Sequence, residues 1–250
     1  MTKYIAAYTN WKHYFSHNAW TLAEFPWSPQ PQLSPLERDL LAQSLPSFQL
    51  GEGSDGAGLL RRAAQRDHQA PGLAAATQLF IREEQRHSAV LGRFLDQEQI
   101  PRLRHHWVDS LFRRVRSLAG FELMTIVLTC AECLAVPYYT AVLELTQNHL
   151  LKSIAARILR DEAFHLEFQA ENAALCAQGR SDFLRLLTCL THVSLLAIAT
   201  AFVYLVYRPL FLQVSMSPLR FAALAFGAYR PILHRLAHRP RPDTLPRLAW

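Results

Sequence analysis

The chain has 250 residues, half of them hydrophobic, and a net charge of +6 that rests almost entirely on arginine, since lysine occurs only at Lys3, Lys12 and Lys152. This length supports a substantial core and favours one domain with additional helices over two domains. Four cysteines exclude a disulfide framework, and only nine glycines favour a helical protein. No apolar run of signal-peptide length follows Lys3, so a cytoplasmic protein is predicted.

Residues 1–33 are predicted to form an irregular N-terminal arm packed over the domain. This segment is rich in aromatic side chains, but we find no helical period in it, and three prolines interrupt it at Pro26, Pro29 and Pro31.

The first predicted helix begins at Ser34, which has the properties of a capping residue, with Pro35 at the first helical position and Glu37 in the first turn. Its apolar stripe continues to Glu52, where another leucine would be expected. One proline and four glycines predict a kink or break before the helix resumes: Pro46, Gly51, Gly53, Gly56 and Gly58.

Three further long helices follow in the prediction, at residues 73–95, 121–145 and 151–175. A basic amphipathic segment, residues 107–118, is predicted to connect the first two of them. Gly179 is expected to end the last helix.

Two of these helices carry a Glu-x-x-His step within an apolar context. Glu84 and His87 form one step, and Glu162 and His165 form the other, 78 residues later. Positions i and i+3 project from the same face of a helix, so each step offers a carboxylate and an imidazole to one point. The alternative is that the glutamates are solvated helix charges and the histidines ordinary core or surface groups.

Two more glutamates lie on the apolar stripes of the other helices. Glu52 precedes Glu84 by 32 residues and Glu132 precedes Glu162 by 30, spacings that suit two antiparallel hairpins. Buried carboxylates are unfavourable unless they are paired or bind cations, so four of them with two histidines predict a metal site. Glu122 is an alternative ligand, but it lies about 80° from Glu132 around the helix, and both cannot face one centre.

This arrangement resembles the ferritin-like di-iron carboxylate superfamily, in which two helices each give a glutamate and two each give Glu-x-x-His. The stretches at 48–55 and 80–87 also resemble an uncharacterised group of bacterial ferritin-like proteins. The resemblance implies an all-α, ferritin-like four-helix bundle over residues 34–180, with Asp161 and Glu83 hydrogen-bonded to ligating histidines. The six implied metal ligands are Glu52, Glu84, His87, Glu132, Glu162 and His165.

The function that the resemblance implies is an oxygen-activating oxidoreductase with two iron ions, manganese being a substitute at one or both sites, and dioxygen as co-substrate. The substrate would be a small or lipid-like organic molecule, oxidised by hydroxylation, desaturation, N-oxygenation or a related reaction; the electron donor is unknown. A dry pocket is expected from apolar residues near the ligands: Leu45, Phe48, Phe80, Leu128, Val136 and Phe164.

Two other functions stay open at this stage. One is a ferroxidase or peroxide-detoxifying protein similar to ferritins or rubrerythrins. The other is a non-catalytic, membrane-associated helical protein whose carboxylates pair with arginines.

Some conspicuous residues favour plain interpretations. Cys130 and Cys133 have the spacing of a zinc pair, but they lie within one helix without a second pair, which favours two packed thiols. Tyr138 and Tyr139 belong either to the core or to a pocket or redox role near the metals. The basic residues at 102–116 favour a solvated helix face, and no interleaving of aromatic and basic residues predicts a nucleic-acid partner.

Residues 181–250 are predicted to form an apolar helix, a short helix near 221–233 and a basic tail from residue 235. The segment Leu186–Tyr207 has 22 residues without a formal charge, long enough to cross a bilayer. Threonines, a serine and a histidine dilute it, so a fifth helix packed against the domain, or buried in a homodimer, is favoured over a membrane contact.

Overall fold

A computed structural model describes residues 2–28, 30–103 and 120–237 of the chain, with side chains from residue 7 onward. Over these residues the protein consists of eleven α-helices and one short 3-10 turn, and none of them lies in a β-strand. The predicted all-α class is therefore confirmed. The basic segment predicted at residues 107–118 lies outside the described residues.

The prediction of an irregular N-terminal arm was wrong for its first half. Helix α1 spans Thr2–His17, and only the residues after it are irregular, apart from the 3-10 turn Leu22–Glu24. The aromatic residues Tyr8, Trp11 and Phe15 are all buried, and their spacing of three and four residues places them on one face. The prolines that suggested irregular structure begin only at residue 26.

The predicted break in the first long helix is confirmed. Helix α2 spans Pro35–Ala42 and is capped by Ser34 and Glu37 as predicted; α3 spans Leu45–Glu52 and α4 spans Ala57–Arg66. Gly56, in the linker between α3 and α4, has a φ of 62°, a conformation that favours glycine. A Cβ there would also lie 2.5 Å from the side chain of Ile81, so this linker closes directly over α5.

Three long helices form the centre of the protein. They are α5 (Leu73–Gln97), α6 (Phe121–Leu145) and α7 (His149–Cys176), in good agreement with the predicted ranges. Helices α6 and α7 pack along each other after a three-residue connection, α3 and α4 pack on α5, and α5 also contacts α7. Helix α1 packs against α5, and its aromatic side chains extend the core.

Two hydrophobic clusters make up the interior. One includes Val90 and Cys130, and the other includes Ile81, Met124 and the aromatic residues of α1. On α5, the buried residues Glu83 and His87 lie between the positions that belong to these two clusters, and on α6 the buried Glu132 follows soon after the change from one cluster to the other. The candidate site thus lies between two apolar regions rather than at the end of the protein.

Four helices follow in the C-terminal part: α8 (Asp182–Val206), α9 (Arg208–Gln213), α10 (Pro218–Ala228) and α11 (Arg230–Ala237). Gly179, with a φ of 74°, ends the preceding segment as predicted, and the Ser181 side chain accepts a hydrogen bond from the Leu184 amide at the start of α8. The predicted single helix near 221–233 is in fact two helices. The tail predicted from residue 235 begins later than predicted, because residues 235–237 form the end of α11, and its remaining residues, 238–250, lie outside the described residues.

Within the part of the chain that the structure describes, two helices, α6 and α8, are long and apolar enough to cross a membrane by length and composition. In the most apolar part of α6, 72% of the residues are buried, against only 22% in α8. Helix α8, which we predicted to pack against the domain as a fifth helix, does so along one side only, and its other side is exposed. On its packed side it contacts α6, α10 and α11.

Candidate metal centre

Four side chains from α5 and α7 converge at the centre of the protein. Each of Glu84, His87, Glu162 and His165 offers one ligand atom, and these four atoms all lie within 4.8 Å of one another. His87, Glu162 and His165 are buried, whereas Glu84 is partly exposed. The i, i+3 spacing on each helix explains the convergence, because it turns both members of a pair towards the facing helix. Among the described residues, this is the group of acidic, histidine or cysteine side chains that could hold a metal ion.

The two remaining glutamates predicted from the sequence flank this group. Glu52 Oε2 lies 3.9 Å from His87 Nδ1, and Glu132 Oε2 lies 3.5 Å from His165 Nδ1. Glu52 comes from the last residue of α3, just before the break, and Glu132 from the middle of α6. The structure thus brings all six predicted residues to one place.

Both histidines are oriented in the same way. Their Nδ1 atoms face the carboxylates of the group, while their Nε2 atoms face outward to a second pair of acids. His87 Nε2 lies 3.2 Å from Asp161 Oδ2, and His165 Nε2 lies 3.3 Å from Glu83 Oε2. With Nε2–H as the donor in each bond, Nδ1 is left as a free lone pair directed at the centre. The pairing is crossed, because α7 holds the histidine of α5 and α5 holds that of α7.

Several buried atoms of this group have no hydrogen-bond partner. They are Oε1 of Glu84, both carboxylate oxygens of Glu162, and the Nδ1 atoms of His87 and His165. Glu84 Oε1 and His165 Nδ1 are 2.8 Å apart but are not aligned as a hydrogen bond. Buried polar atoms are rarely left unpaired, because each costs about 1–3 kcal/mol. Oxygen and imidazole donors of this kind fit iron or manganese, whose binding would satisfy all of them.

The pKa values of these side chains also indicate a site that suits cations. Burial, together with the charges of Glu132 and Glu52, raises the pKa of Glu84 well above its usual range. Burial would lower the pKa of His87, but its hydrogen bond to Asp161 and the nearby Glu52 outweigh burial and raise that pKa to about 9. Without metal ions, these raised pKa values favour the protonated forms of Glu84 and His87, as expected where several carboxylates lie close together.

The two acids that contact the histidines, Glu83 and Asp161, accept hydrogen bonds from residues that the sequence analysis missed. Asn18, just after α1, donates from Nδ2 to Glu83 Oε1 at 2.7 Å and to Asp161 Oδ1 at 2.9 Å, so that it bridges both acids. Arg157 Nε donates to Asp161 Oδ2 at 3.0 Å, and its Nη2 donates to Asn18 Oδ1 at 2.8 Å. Trp20 Nε1 also donates to Asp161 Oδ2 at 3.1 Å.

Only Arg157 among these residues had a signal in the sequence. It precedes Asp161 by four residues on a helix, the spacing of an ion pair. Asn18 and Trp20 lie in the segment that we predicted to be irregular, and nothing in the sequence places that segment beside α5 and α7.

The two neighbouring tyrosines have different surroundings. Tyr139 donates its hydroxyl to Glu52 Oε1 at 3.1 Å, and burial together with the Glu52 charge raises its pKa well above the usual range, so it stays a donor. Tyr138 instead contacts Ser44 at 3.0 Å and stacks on Phe48, with ring centroids 3.4 Å apart. Tyr139 therefore contacts the candidate site, and Tyr138 belongs to the core.

Other candidate residues lie apart from the centre. Glu122 pairs with Arg180 through both carboxylate oxygens, so the alternative in which Glu122 is the third-helix ligand was wrong. Its position two turns and more from Glu132 turns it to another side of α6. Cys130 and Cys133 are buried free thiols, and burial raises the pKa of Cys130 to about 12, as expected for packed thiols rather than metal ligands.

A cavity of about 300 Å³ adjoins the site at the break between α3 and α4. Glu52 and Glu84 form its polar end, and Leu59, Phe80, Ile81, Met124 and Leu128 form its apolar walls. Of the predicted pocket lining, only Phe80 and Leu128 contact this cavity. The prediction was wrong for the other four, because the helix break places the opening nearer to α4 than a continuous helix would. Those four are Leu45, Phe48, Val136 and Phe164.

Comparison of the chain with protein-family models, with curated proteins and with solved structures finds no match. The interpretation of the centre therefore rests on its own geometry and chemistry.

Proposed function

We propose that this chain is a ferritin-like oxidoreductase that binds two iron ions, or iron and manganese, and uses dioxygen to oxidise a small or lipid-like organic substrate. The observation that carries the proposal is the convergence of six acidic and imidazole side chains, of which Glu84, His87, Glu162 and His165 have buried atoms without hydrogen-bond partners. Such a set matches the donor types that ferritin-like di-iron bundles supply.

The distances support two metal positions rather than one. Glu162 Oε1 lies 3.7 Å from His87 Nδ1, while its Oε2 lies 3.5 Å from His165 Nδ1. Glu84 likewise lies within 3.8 Å of both Nδ1 atoms. Glu84 and Glu162 would therefore help to hold both ions, together with Glu52 near His87 and Glu132 near His165.

A reduced iron pair would supply the electrons that activate dioxygen. The chain's own residues prepare the centre for it. Asp161 and Glu83 fix the two imidazoles so that Nδ1 carries the lone pair, and Tyr139 orients Glu52 by its hydrogen bond. The apolar walls beside Glu84 limit access of water to the reacting atoms.

The cavity favours an organic substrate over a ferroxidase role. Its volume of about 300 Å³ is at the small end of the range for ligand pockets, and its walls are apolar up to the carboxylates. Iron ions entering for storage would gain nothing from such walls. The acidic side chains in its lining, Glu52, Asp55 and Glu84, favour an uncharged molecule over a carboxylate.

Metal analysis and dioxygen uptake test the proposal together. After anaerobic loading with ferrous iron, with or without manganese, we expect about two ions per chain by elemental analysis. We further expect dioxygen uptake that a neutral apolar compound increases. A folded protein that binds no transition metal would rule the proposal out, and repeated oxidation of added iron without any effect of organic compounds would favour the ferroxidase.

Filling the cavity should separate metal binding from substrate binding. A Cβ at Gly58 would lie 3.4 Å from Met124 Cε, so Gly58→Leu places its side chain in the cavity without touching a ligand. We expect this variant to keep both metal ions but to lose at least about tenfold in affinity for the stimulating compound, since its apolar contact surface is occupied. Dioxygen uptake titrated with that compound measures the effect.

The matched control is Gly227→Leu. Gly227 is also a helical glycine, and a Cβ there meets nothing within 4 Å, so the same change is made away from the cavity. If the two variants had the same affinity for the stimulating compound, a substrate role for the cavity would be contradicted. The proposal of a metal centre would not be affected.

A further inference from the structure

Helix α8 has an inverted distribution of polar and apolar residues. The side chains that it buries against the protein are mostly polar: Arg185, Thr188, His192, Leu196, Thr200 and Tyr204. The side chains that it exposes are mostly apolar, and Phe183, Ile198 and Leu205 are exposed by 73%, 68% and 68%. A surface helix of a water-soluble protein has the opposite arrangement. The outward face of α8 is therefore built for an apolar medium.

Arg185, Thr188 and Tyr204 on the inner side are hydrogen-bonded within the protein, whereas His192 Nδ1 and Thr200 Oγ1 are buried without a hydrogen-bond partner. The Arg185 guanidinium donates to the carbonyl oxygens of Ala177, Arg235 and Leu236. Tyr204 donates its hydroxyl to Met216 O at 3.1 Å. These bonds fix the rotation of α8, so that the apolar face cannot turn inward without breaking them.

The exposed face is too wide for a single partner helix. Its residues from 183 to 206 cover roughly 200° of the helix circumference at 100° per residue, whereas one packed helix covers a much narrower seam. Thr191 and Ser194 are its only polar members between those positions, and no charged residue interrupts it. Thr191 donates its hydroxyl back to Leu187 O and so needs no outside partner. Lipid chains can cover such a surface, and a second copy of α8 would leave most of it in water.

The positive charge of the chain is concentrated in the part of the sequence that includes α8. Residues 1–180 contain 18 basic and 18 acidic residues, whereas residues 181–250 contain eight arginines and two aspartates. The whole net charge of +6 is thus carried by the part of the chain that holds the apolar face. An excess of positive charge in the part of the chain that carries an apolar face favours a surface of anionic lipids.

The neighbours of α8 decide between crossing a bilayer and lying on it. Helix α8 is packed along its inner side by α6, α10 and α11, and the exposed pair Arg220–Glu144 links α10 to α6. If α8 crossed a bilayer, α6, which packs against it and carries Glu122, Glu132 and Glu144 along its length, would have to enter the bilayer with it, at a high free-energy cost.

We propose that the protein docks on the surface of an anionic lipid bilayer through the outward face of α8, which lies in the plane of the membrane. This inference does not depend on the metal centre. It predicts binding without a membrane-spanning segment, with the apolar side chains of α8 inserted below the headgroups.

Flotation of the full-length protein with vesicles tests this proposal. We expect binding to vesicles of phosphatidylcholine containing phosphatidylglycerol, and weaker binding to phosphatidylcholine alone. Ile198→Glu should lower the partition coefficient at least about tenfold, because one large side chain leaves the lipid and a charge enters its place. Leu36→Glu is the matched control, since Leu36 is 51% exposed on α2 and lies outside this face.

A tryptophan variant keeps the proposal testable if Ile198→Glu does not fold. Ile198→Trp retains an apolar side chain, and lipids with brominated acyl chains should quench its fluorescence more than that of Leu36→Trp. The proposal is overturned if the wild-type protein does not float with anionic vesicles. It is equally overturned if sedimentation shows a stable dimer that Ile198→Glu dissociates while vesicle binding stays absent.

Discussion

Glu162→Gln is expected to leave the chain folded but to remove the metal binding proposed above. The amide has nearly the shape of the carboxylate, but it carries no negative charge to hold a cation, and both oxygens of Glu162 are buried without another partner. Burial, together with the Glu132 charge, raises the pKa of Glu162 well above its usual range and so favours the neutral carboxylic acid in the metal-free protein. Since the amide is neutral too, the metal-free variant should be about as stable as the wild type.

The difference should appear when metal is added. A ligand at 100 times its dissociation constant stabilises the folded state by about 2.7 kcal/mol, and we expect the wild type to gain an amount of this order from ferrous or manganous ions. Glu162→Gln should gain little, as measured by urea unfolding with and without metal, and elemental analysis should find less than one ion per chain.

Glu122→Gln provides the control for this experiment. Glu122 lies on α6 like Glu132, but it pairs with Arg180 away from the centre, so its removal should leave metal binding unchanged. If Glu122→Gln and Glu162→Gln lowered the metal content equally, the ligand set proposed here would be wrong.

Asp161→Ala is expected to have the largest effect on folding stability. Asp161 is fully buried and accepts hydrogen bonds from Asn18, Trp20, Arg157 and His87. Its removal leaves the mostly buried Arg157 guanidinium without its carboxylate, and breaking such a pair costs about 3–5 kcal/mol. Urea unfolding of the metal-free protein measures this loss, which does not depend on the proposed function.

Asp161→Asn separates shape from charge. The amide can still accept one hydrogen bond, so we expect a smaller loss of stability, about 1–2 kcal/mol. Because it cannot fix His87 in the required tautomer as well as a carboxylate does, metal affinity should still fall about 10- to 100-fold. Asp39→Ala, at an exposed position of α2, should change stability by less than about 0.5 kcal/mol. A loss of that small size in Asp161→Ala would contradict the role of Asp161 as the centre of this network.

The break between α3 and α4 links the centre to its surroundings. Helix α3 ends at Glu52, so this carboxylate projects from the end of a helix. The cavity beside the break is lined by both Glu52 and Glu84. Gly56 closes the linker over Ile81 in a conformation that favours glycine. The break between α3 and α4 thus places Glu52 beside both the candidate metal centre and the cavity.

The amino-acid sequence by itself determined the helical class, the bounds of the three long helices and the six residues that meet at the centre. These features follow from local patterns, since helical period and i, i+3 spacing fix which side chains share a face. Ser34 and Glu37 at one helix start and Gly179 at one helix end were equally readable, because capping is a property of a few adjacent residues.

Only the tertiary structure decided the features that depend on residues far apart in the chain. Asn18 bridges Glu83 and Asp161, which are 65 and 143 residues away, and no local pattern encodes such a contact. The choice of Glu132 over Glu122, the position of the cavity and the exposed face of α8 likewise depend on how each helix is rotated against its neighbours. That rotation results from packing across the whole interior, and so it cannot be obtained from the period of any one helix.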